Sequence, residues 1–261
     1  MSIFLYSLFS GSGGNCYVVG DGETKMLVDV GVSARRVEQA LDGIGLSLDD
    51  ISAIFVTHEH IDHVKGLETI EKHRKIPVHM TEGTARAFIT DASSPIFPAL
   101  YAHRGNFSVE IGDFKIKSFS VPHDAADPVG YIFEKDGVRV GFATDTGYVS
   151  REVEENLVGC RAAVIESNHD VCALMMGPYP PYLKARIASE DGHLSNIDAA
   201  ILAKKLAVGG ARSLMLAHLS RENNEPHLAL CEVKNAVGDD VSVVCASPDT
   251  VTELKIFADK H

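Results

Sequence analysis

The chain has 261 residues, 45% of them hydrophobic, a length that supports one large core or two closely fused half-domains. Its formal net charge of -12 argues against a surface that binds long nucleic acids by bulk electrostatics, although bound divalent cations would still allow a nuclease. The apolar runs are too short to span a bilayer and the five cysteines are scattered, so we expect a soluble, cytoplasmic protein without a disulfide framework.

The first half of the chain is predicted to open with antiparallel strands that Gly-rich turns separate, followed by helices. β-branched and aromatic residues predict strands over 3–9, 16–20, 25–29 and 51–57. Ser33 is suited to begin a helix that buries Val37, Ala40 and Leu41. A second helix is predicted over 63–75, where Leu67 and Ile70 have helical spacing.

The second half repeats this order of strands and helices. Strands are predicted over 115–121, 131–134, 138–143, 163–166, 214–217 and 241–245, and helices over 151–156, 196–207 and 226–237. Asp136-Gly137 is a typical hairpin turn between the second and third of these strands. The repeat predicts a single α/β domain over 1–261, built from two β/α halves that pack sheet against sheet with helices outside.

A dense group of metal-ligand residues follows the strand predicted over 51–57. Within six residues the chain offers His58, His60, Asp62 and His63. His58 and His60 are two residues apart, so they would lie on opposite sides of a helix, and the motif is better placed in a loop. Because the cluster follows an apolar strand, it is expected at a strand end, where the sites of α/β proteins commonly lie.

Three later segments share this pattern of an apolar strand ending in a metal-ligand residue. The residues concerned are His123, Asp145 and His218. Together with the first cluster they make seven candidate ligands on four strand ends, enough for two metal ions. The competing interpretation of the first cluster alone is a solvated polar loop, but that interpretation does not account for the other three strand ends.

The pattern His-x-His-x-Asp-His, followed by a distant His, Asp and His, resembles the metallo-β-lactamase fold superfamily over essentially the whole chain. The resemblance implies an αββα four-layer sandwich and a dinuclear metal-dependent hydrolase. Carried over residue by residue, it assigns His58, His60 and His123 to one metal, Asp62, His63 and His218 to the other, and Asp145 to a bridge between them.

The imidazole-rich ligand set favours Zn²⁺ and is compatible with Mn²⁺ or Fe²⁺. Two bound cations lower the pKa of water to ~7 and stabilise negative charge that develops on a phosphate or carbonyl group. The expected chemistry is therefore hydrolysis. Asp62 is also a candidate catalytic residue, since it is expected to orient the attacking hydroxide.

A second motif, at 190–196, ends in Gly-His-Leu-Ser-Asn and precedes a predicted helix. With the segment around His218, it resembles elements of the transfer-RNA 3′-processing ribonucleases and of the ribonuclease J group, which are phosphodiesterases. The resemblance implies that His193 contacts the scissile phosphate or gives a proton to the leaving oxygen. Ser195 and Asn196 begin the next helix, whose free N–H groups suit an anion. The alternative is a capped helix with an incidental histidine.

Three further segments, 10–15, 166–170 and 220–226, resemble the bacterial YycJ/WalJ subfamily of this superfamily. This resemblance implies a DNA exonuclease that acts from 5′ ends and is linked to DNA repair. DNA is therefore the expected partner, with no membrane. The candidate substrate-binding residues are Asn168, His169, Ser195, Ser220, Arg221 and Asn223.

Several interpretations stay open from the sequence. The Gly-rich segment at 10–15 is either a plain turn or a loop whose amides cradle a phosphate. Lys184 and Arg186 either steer a nucleic-acid strand or belong to a solvated helix face. The acidic charge also favours an alternative substrate class, in which the protein is a small-molecule phosphodiesterase or another ester hydrolase.

Overall fold

The computed structural model describes residues 3–89 and 98–257. The first half contains β1 (Phe4–Phe9), β2 (Cys16–Gly20), β3 (Lys25–Val28), α1 (Ala34–Asp42), β4 (Ile51–Phe55), α2 (Ile61–Val64), α3 (Leu67–Arg74), β5 (Val78–Thr81), α4 (Glu82–Phe88) and β6 (Leu100–His103). The second half contains β7 (Ser108–Ile111), β8 (Phe114–Ser120), β9 (Val129–Lys135), β10 (Val138–Ala143), α5 (Arg151–Leu157), β11 (Ala162–Glu166), α6 (Val171–Met176), α7 (Pro181–Ile187), α8 (Asn196–Val208), β12 (Ser213–Ala217), α9 (Pro226–Val237), β13 (Ser242–Cys245) and β14 (Thr252–Leu254). The domain predicted over 1–261 also includes residues 1–2, 90–97 and 258–261, which lie outside the described residues.

The strands form two mixed sheets that pack face to face. One sheet has the order β14-β1-β2-β3-β4-β5-β6 and the other has the order β13-β12-β11-β10-β9-β8-β7. Aromatic side chains join the two inner faces: the Tyr17 and Phe142 rings lie 4.6 Å apart, and the Phe55 and Tyr131 rings 5.4 Å apart. One cluster of buried hydrophobic side chains fills this interface. Each sheet also has a second cluster, which lies between its outer face and the helices that cover it. The predicted four-layer αββα arrangement is therefore confirmed.

Parallel pairing sets where the strands end. In one sheet, β3, β4, β5 and β6 are parallel, and in the other β10, β11, β12 and β13 are parallel. Parallel strands bring their carboxyl ends to the same edge of a sheet, and sites in α/β proteins form at that edge. The segments that follow β3, β4, β10, β11 and β12 therefore meet at one end of the sandwich.

Most predicted elements are present within a few residues of the expected bounds. The hairpin turn at Asp136-Gly137 is confirmed, with φ of 52° and 77° as a type I′ turn requires. The helix predicted over 63–75 is instead two helices, α2 and α3. The chain turns at Gly66, whose amide donates to the Val30 carbonyl oxygen at 2.9 Å and so leaves the helical hydrogen-bond pattern.

Several short elements had no prediction, among them β5, β6, β7, β14, α4 and α6. Strand β14 has only three residues and pairs with β1 at the opposite end of the chain. Within the described ranges, the structure contains no helix that is both long and apolar enough to cross a membrane.

Candidate metal centre

The seven predicted ligands all lie at the shared carboxyl end of the strands. His58 follows β4, while His60, Asp62 and His63 lie at the start of α2. His123 follows β8, Asp145 follows β10 and His218 follows β12. The ligand set is therefore drawn from four strand ends, one in the sheet that contains β4 and three in the other sheet, and the fold brings them together.

Three residues at these strand ends have a left-handed backbone. Asp29, Asp145 and His218 have φ of 59°, 54° and 55°. Non-glycine residues adopt this conformation at a cost of roughly 1–3 kcal/mol, and it persists where surrounding contacts enforce it. Asp145 and His218 line the metal cavity, whereas Asp29 contacts His63 and Thr57.

The ligand atoms form two groups of three, and Asp145 forms a further group with His58 from the first and His63 from the second. In one group, donor atoms of His58, His60 and His123 all lie within 4.8 Å of one another; in the other, those of Asp62, His63 and His218 do. Asp145 Oδ2 lies 3.4 Å from His63 Nε2, and Asp145 Oδ1 lies 4.0 Å from His123 Nε2. The Asp145 carboxylate therefore stands between the two groups.

The donor set fits divalent cations. Three of its buried atoms, His123 Nε2, His218 Nε2 and Asp145 Oδ2, have no hydrogen-bond partner among the described residues. Leaving a buried polar atom without a partner costs about 1–3 kcal/mol, so their convergence on one place calls for a ligand. Imidazole and carboxylate donors within this range suit a first-row transition metal, so these residues are candidate ligands of a divalent cation.

Hydrogen-bond acceptors orient three of the candidate histidine ligands by binding their Nδ1 atoms. Asp29 Oδ2 accepts from His63 Nδ1 at 2.8 Å, and the Gly192 carbonyl oxygen accepts from His123 Nδ1 at 3.1 Å. Glu166 Oε1 lies 2.9 Å from His218 Nδ1. These contacts leave each Nε2 atom to face the centre, which is how metal-binding histidines are usually held.

Sequence analysis missed the roles of Asp29 and Glu166. Both follow the pattern that identified Asp145, since each stands at the end of an apolar strand. Both are fully buried and hydrogen-bonded to candidate ligands. The signal is therefore present in the sequence, at the ends of β3 and β11.

The charged groups of the centre shift one another's protonation. Burial lowers the pKa of His63, but Asp145 and Asp29 outweigh this effect and raise it to about 9. Burial raises the pKa of Asp145, whereas His218 and His63 lower it below its ordinary value. Burial and the neighbouring His63 lower the pKa of His58. A cation must therefore displace protons from this cluster, so its binding strengthens as the pH rises.

His193 lies beside the centre and belongs to neither of these two groups of three, but it forms another group of possible ligands with Asp145, Glu166 and His218. Its Nδ1 atom lies 2.8 Å from Glu166 Oε1, and its side chain keeps 19% exposure. Burial raises the pKa of Glu166, but His193 and His218 lower it below its ordinary range, so the carboxylate is ionised. Glu166 therefore accepts the Nδ1 proton of His193 and leaves Nε2 available to a molecule in the cavity.

A cavity of about 280 Å³ opens onto the centre. Besides ligands and His193, its lining includes Asn168, Ser220, Tyr179 and Arg186. Arg186 is not a freely solvated cation, because it forms an ion pair with Asp124 at 2.5 Å. Lys184, by contrast, donates to the Met175 carbonyl oxygen at 2.6 Å and does not line this cavity.

The six predicted substrate-binding residues divide into two classes. Asn168 and Ser220 line the metal cavity, and Arg221 lines a neighbouring one. The other three do not line either cavity and hold the local structure together: His169, Ser195 and Asn223. They are buried, and their contacts include a cap of α8 by the Ser195 hydroxyl, which accepts from the Asp198 amide.

Comparison with known proteins agrees with this geometry. A family model described as a β-lactamase superfamily domain matches residues 24–219. Exodeoxyribonuclease YycJ of Bacillus anthracis is 38% identical over 238 residues, which are 91% of this chain and 90% of that protein. Exodeoxyribonuclease WalJ of Streptococcus pneumoniae is 35% identical over 96% of this chain and 97% of that protein. In fold, YhfI of Bacillus subtilis, a metallo-β-lactamase fold protein, matches with a TM-score of 0.75 at 16% identity, covering 96% of this chain and 98% of its own.

Proposed function

The chain belongs to the metallo-β-lactamase fold superfamily, and we propose that it is a cytoplasmic, metal-dependent exodeoxyribonuclease that degrades DNA from 5′ ends. The observation that carries the proposal is the pairing of a seven-residue ligand set with His193 held on Glu166 at the rim of the same cavity. The names of the two relatives, which are similar over at least nine-tenths of their length, supply the substrate class.

Two divalent cations are proposed, with Zn²⁺ preferred over Mn²⁺ or Fe²⁺ by the imidazole-rich donor set. His58, His60 and His123 would hold one, Asp62, His63 and His218 the other, and Asp145 would contact both. When bound, the cations neutralise charge on phosphate oxygens and lower the pKa of water.

Three side chains of the protein have further proposed roles in the reaction: Asp62, His193 and Glu166. Asp62, whose side chain is 21% exposed and lines the cavity, would accept a hydrogen bond from an attacking water molecule. His193 would donate the proton of Nε2 to the leaving sugar oxygen, which would otherwise depart as a poorly stabilised alkoxide. Glu166 stabilises the protonated ring before that transfer and fixes which nitrogen faces the cavity.

The test is hydrolysis of DNA labelled at either the 5′ or the 3′ end, in duplex and single-stranded form, with Zn²⁺, Mn²⁺ or Fe²⁺ supplied in turn. We expect immediate release of the 5′ label as mononucleotide and delayed release of the 3′ label. The Asp145→Ala variant serves as the control for contaminating nucleases. Metal-loaded protein that releases no nucleotide from any of these substrates would be incompatible with the proposal.

A second candidate is a small-molecule phosphodiesterase. The net charge of -12 and the modest metal cavity of about 280 Å³ favour it. Turnover of bis(p-nitrophenyl) phosphate by a metal-loaded protein that leaves every DNA substrate intact would select this candidate over the nuclease.

A further inference from the structure

A second cavity adjoins the metal cavity and has almost the same size, about 290 Å³. Three residues line both cavities: Ser12, Tyr179 and Ser220. Each cavity is at the small end of the roughly 300–1,000 Å³ that ligand pockets span. A substrate that fills both must therefore extend from the metal centre past the Tyr179 side chain.

Two arginines line the second cavity and share one carboxylate. Arg36 Nη2 lies 3.4 Å from Asp249 Oδ1, and Arg221 Nη2 lies 2.9 Å from Asp249 Oδ2. Among the described residues, Asp249 is the only hydrogen-bond acceptor that either guanidinium reaches. Each guanidinium carries five N–H donors, so both arginines keep donors for a further anion.

The Gly-rich loop at 10–15 lines the second cavity, and its Ser12 also lines the metal cavity. Within the described ranges, the Ser12 and Gly13 amides reach no acceptor, and both residues are exposed. The loop depends on glycine at Gly14, where φ is 144° and a Cβ atom would lie 2.6 Å from the Gly31 carbonyl oxygen. Free, neighbouring amides of this kind suit phosphate oxygens.

The charges in the second cavity balance, since Asp249 and Glu222 offset the two arginines. The cavity therefore has no excess positive charge that would attract anions in general. Recognition would depend on directed N–H donors at fixed positions, which suits one phosphate group of a strand whose neighbouring phosphate occupies the metal centre.

We propose that the second cavity binds the phosphate group next to the scissile phosphate, an inference that rests on the proposed nuclease function. Arg36, Arg221 and the amides of the Gly-rich loop hold this phosphate, and Tyr179 contacts the nucleotide between the two phosphates. The polynucleotide strand therefore leaves the metal centre along the side of the protein that carries α1 and the segment after β12.

The test compares two substrates of the metal-loaded enzyme, a single-stranded oligonucleotide and thymidine p-nitrophenyl phosphate, which has only one phosphate. In Arg36→Gln, we expect KM for the oligonucleotide to rise roughly three- to tenfold relative to KM for the single-phosphate ester. The salt dependence of log KM for the oligonucleotide should flatten by about 0.7, as expected for one lost contact on single-stranded DNA.

Arg74→Gln is the matched control. Its side chain is 41% exposed, against 44% for Arg36, and it also pairs with carboxylates, but it lies on α3 outside both cavities. This variant should keep the wild-type ratio of KM values and the wild-type salt dependence.

Asp249→Asn provides a change in the opposite direction. Removing the shared carboxylate frees the donors of Arg36 and Arg221, so KM for the oligonucleotide should fall relative to the ester. If wild type degrades the oligonucleotide while Arg36→Gln and Asp249→Asn keep its KM ratio, the second cavity is not a phosphate subsite and the nuclease function still stands. A wild type that hydrolyses only the ester overturns both the nuclease function and this subsite.

Discussion

The buried Glu166 and the part-exposed His193 form a hydrogen-bonded pair beside the metal centre, with His193 Nδ1 2.8 Å from Glu166 Oε1. The same oxygen lies 2.9 Å from His218 Nδ1, a ligand candidate. One carboxylate therefore connects the proposed proton donor with the proposed metal site. This connection makes the roles of the individual residues experimentally separable.

His193→Ala should slow DNA hydrolysis while leaving the metals bound. The ring is not one of the seven proposed ligands and is held by Glu166, and loss of a general acid typically costs about 10²–10⁴-fold in rate. Metal content from elemental analysis and kcat on labelled DNA check the two halves of this prediction. Full activity in the variant would rule out His193 as the proton donor.

Glu166→Gln should lower both the rate and the metal affinity. The carboxylate accepts from His193 and His218 through Oε1 and from the Thr146 and Leu194 amides through Oε2, whereas an amide has only one acceptor oxygen. Changes to such supporting residues typically weaken metal binding about 10–100-fold. Chelator competition measures the affinity. His193→Ala is the control, because it should keep the metal affinity of the wild type. A Glu166→Gln variant that also kept this affinity would contradict the prediction.

Asp145→Ala should lose bound metal and all turnover. Its carboxylate contacts His63 in one ligand group and approaches His123 in the other, so both proposed sites lose a donor. Elemental analysis should find fewer than two cations per chain. Asp113→Ala removes an exposed carboxylate remote from the centre and should retain both ions. Wild-type metal content in Asp145→Ala would exclude a bridging role.

Asp29→Asn should weaken metal binding with less effect on the rate at saturating metal. Asp29 accepts from His63 Nδ1 and also from the Thr57 hydroxyl and amide, and it makes no contact with the cavity. The expected loss is about 10–100-fold in affinity. Activity titrated against free Zn²⁺ measures it, and activity that saturates at the wild-type concentration would contradict it.

Low pH should weaken a stabilising ion pair away from the metal centre, the one between Asp21 and Lys135. Burial raises the pKa of Asp21, but hydrogen bonds from Lys135, Thr24 and Glu23 outweigh it and lower the pKa from 3.8 to about 2. A carboxyl with a depressed folded-state pKa stabilises the fold above about pH 4 and loses that contribution as the pH falls toward 2.

Asp21→Asn should therefore lower the free energy of unfolding by about 2 kcal/mol at pH 7, and the difference from wild type should shrink below pH 4. Urea unfolding at several pH values measures this. Asp113→Asn is a matched control because Asp113 pairs with the same lysine, Lys135, but is exposed and should contribute little. A difference between wild type and Asp21→Asn that is independent of pH would contradict the prediction.

The sequence predicted the elements whose signal is local. The hairpin at Asp136-Gly137 and the buried strand before His58 are examples, because turn chemistry and apolar patterning depend on neighbours in the chain. Strand β14 was missed because three residues carry little pattern, and its pairing with β1 depends on the rest of the fold. The break between α2 and α3 was missed for a similar reason, since the Gly66 amide bonds to Val30 on another element.

By itself, the sequence determined the candidate ligands and their places at strand ends, because an apolar run that stops at a histidine or aspartate is visible without coordinates. Only the tertiary structure decided which side chains share a cavity. Tyr179 and Arg36 are distant in sequence from the histidine motif, yet they line the substrate path because α1 and the segment before α7 pack beside the metal centre. Side-chain convergence of this kind depends on long-range packing, which no local pattern encodes.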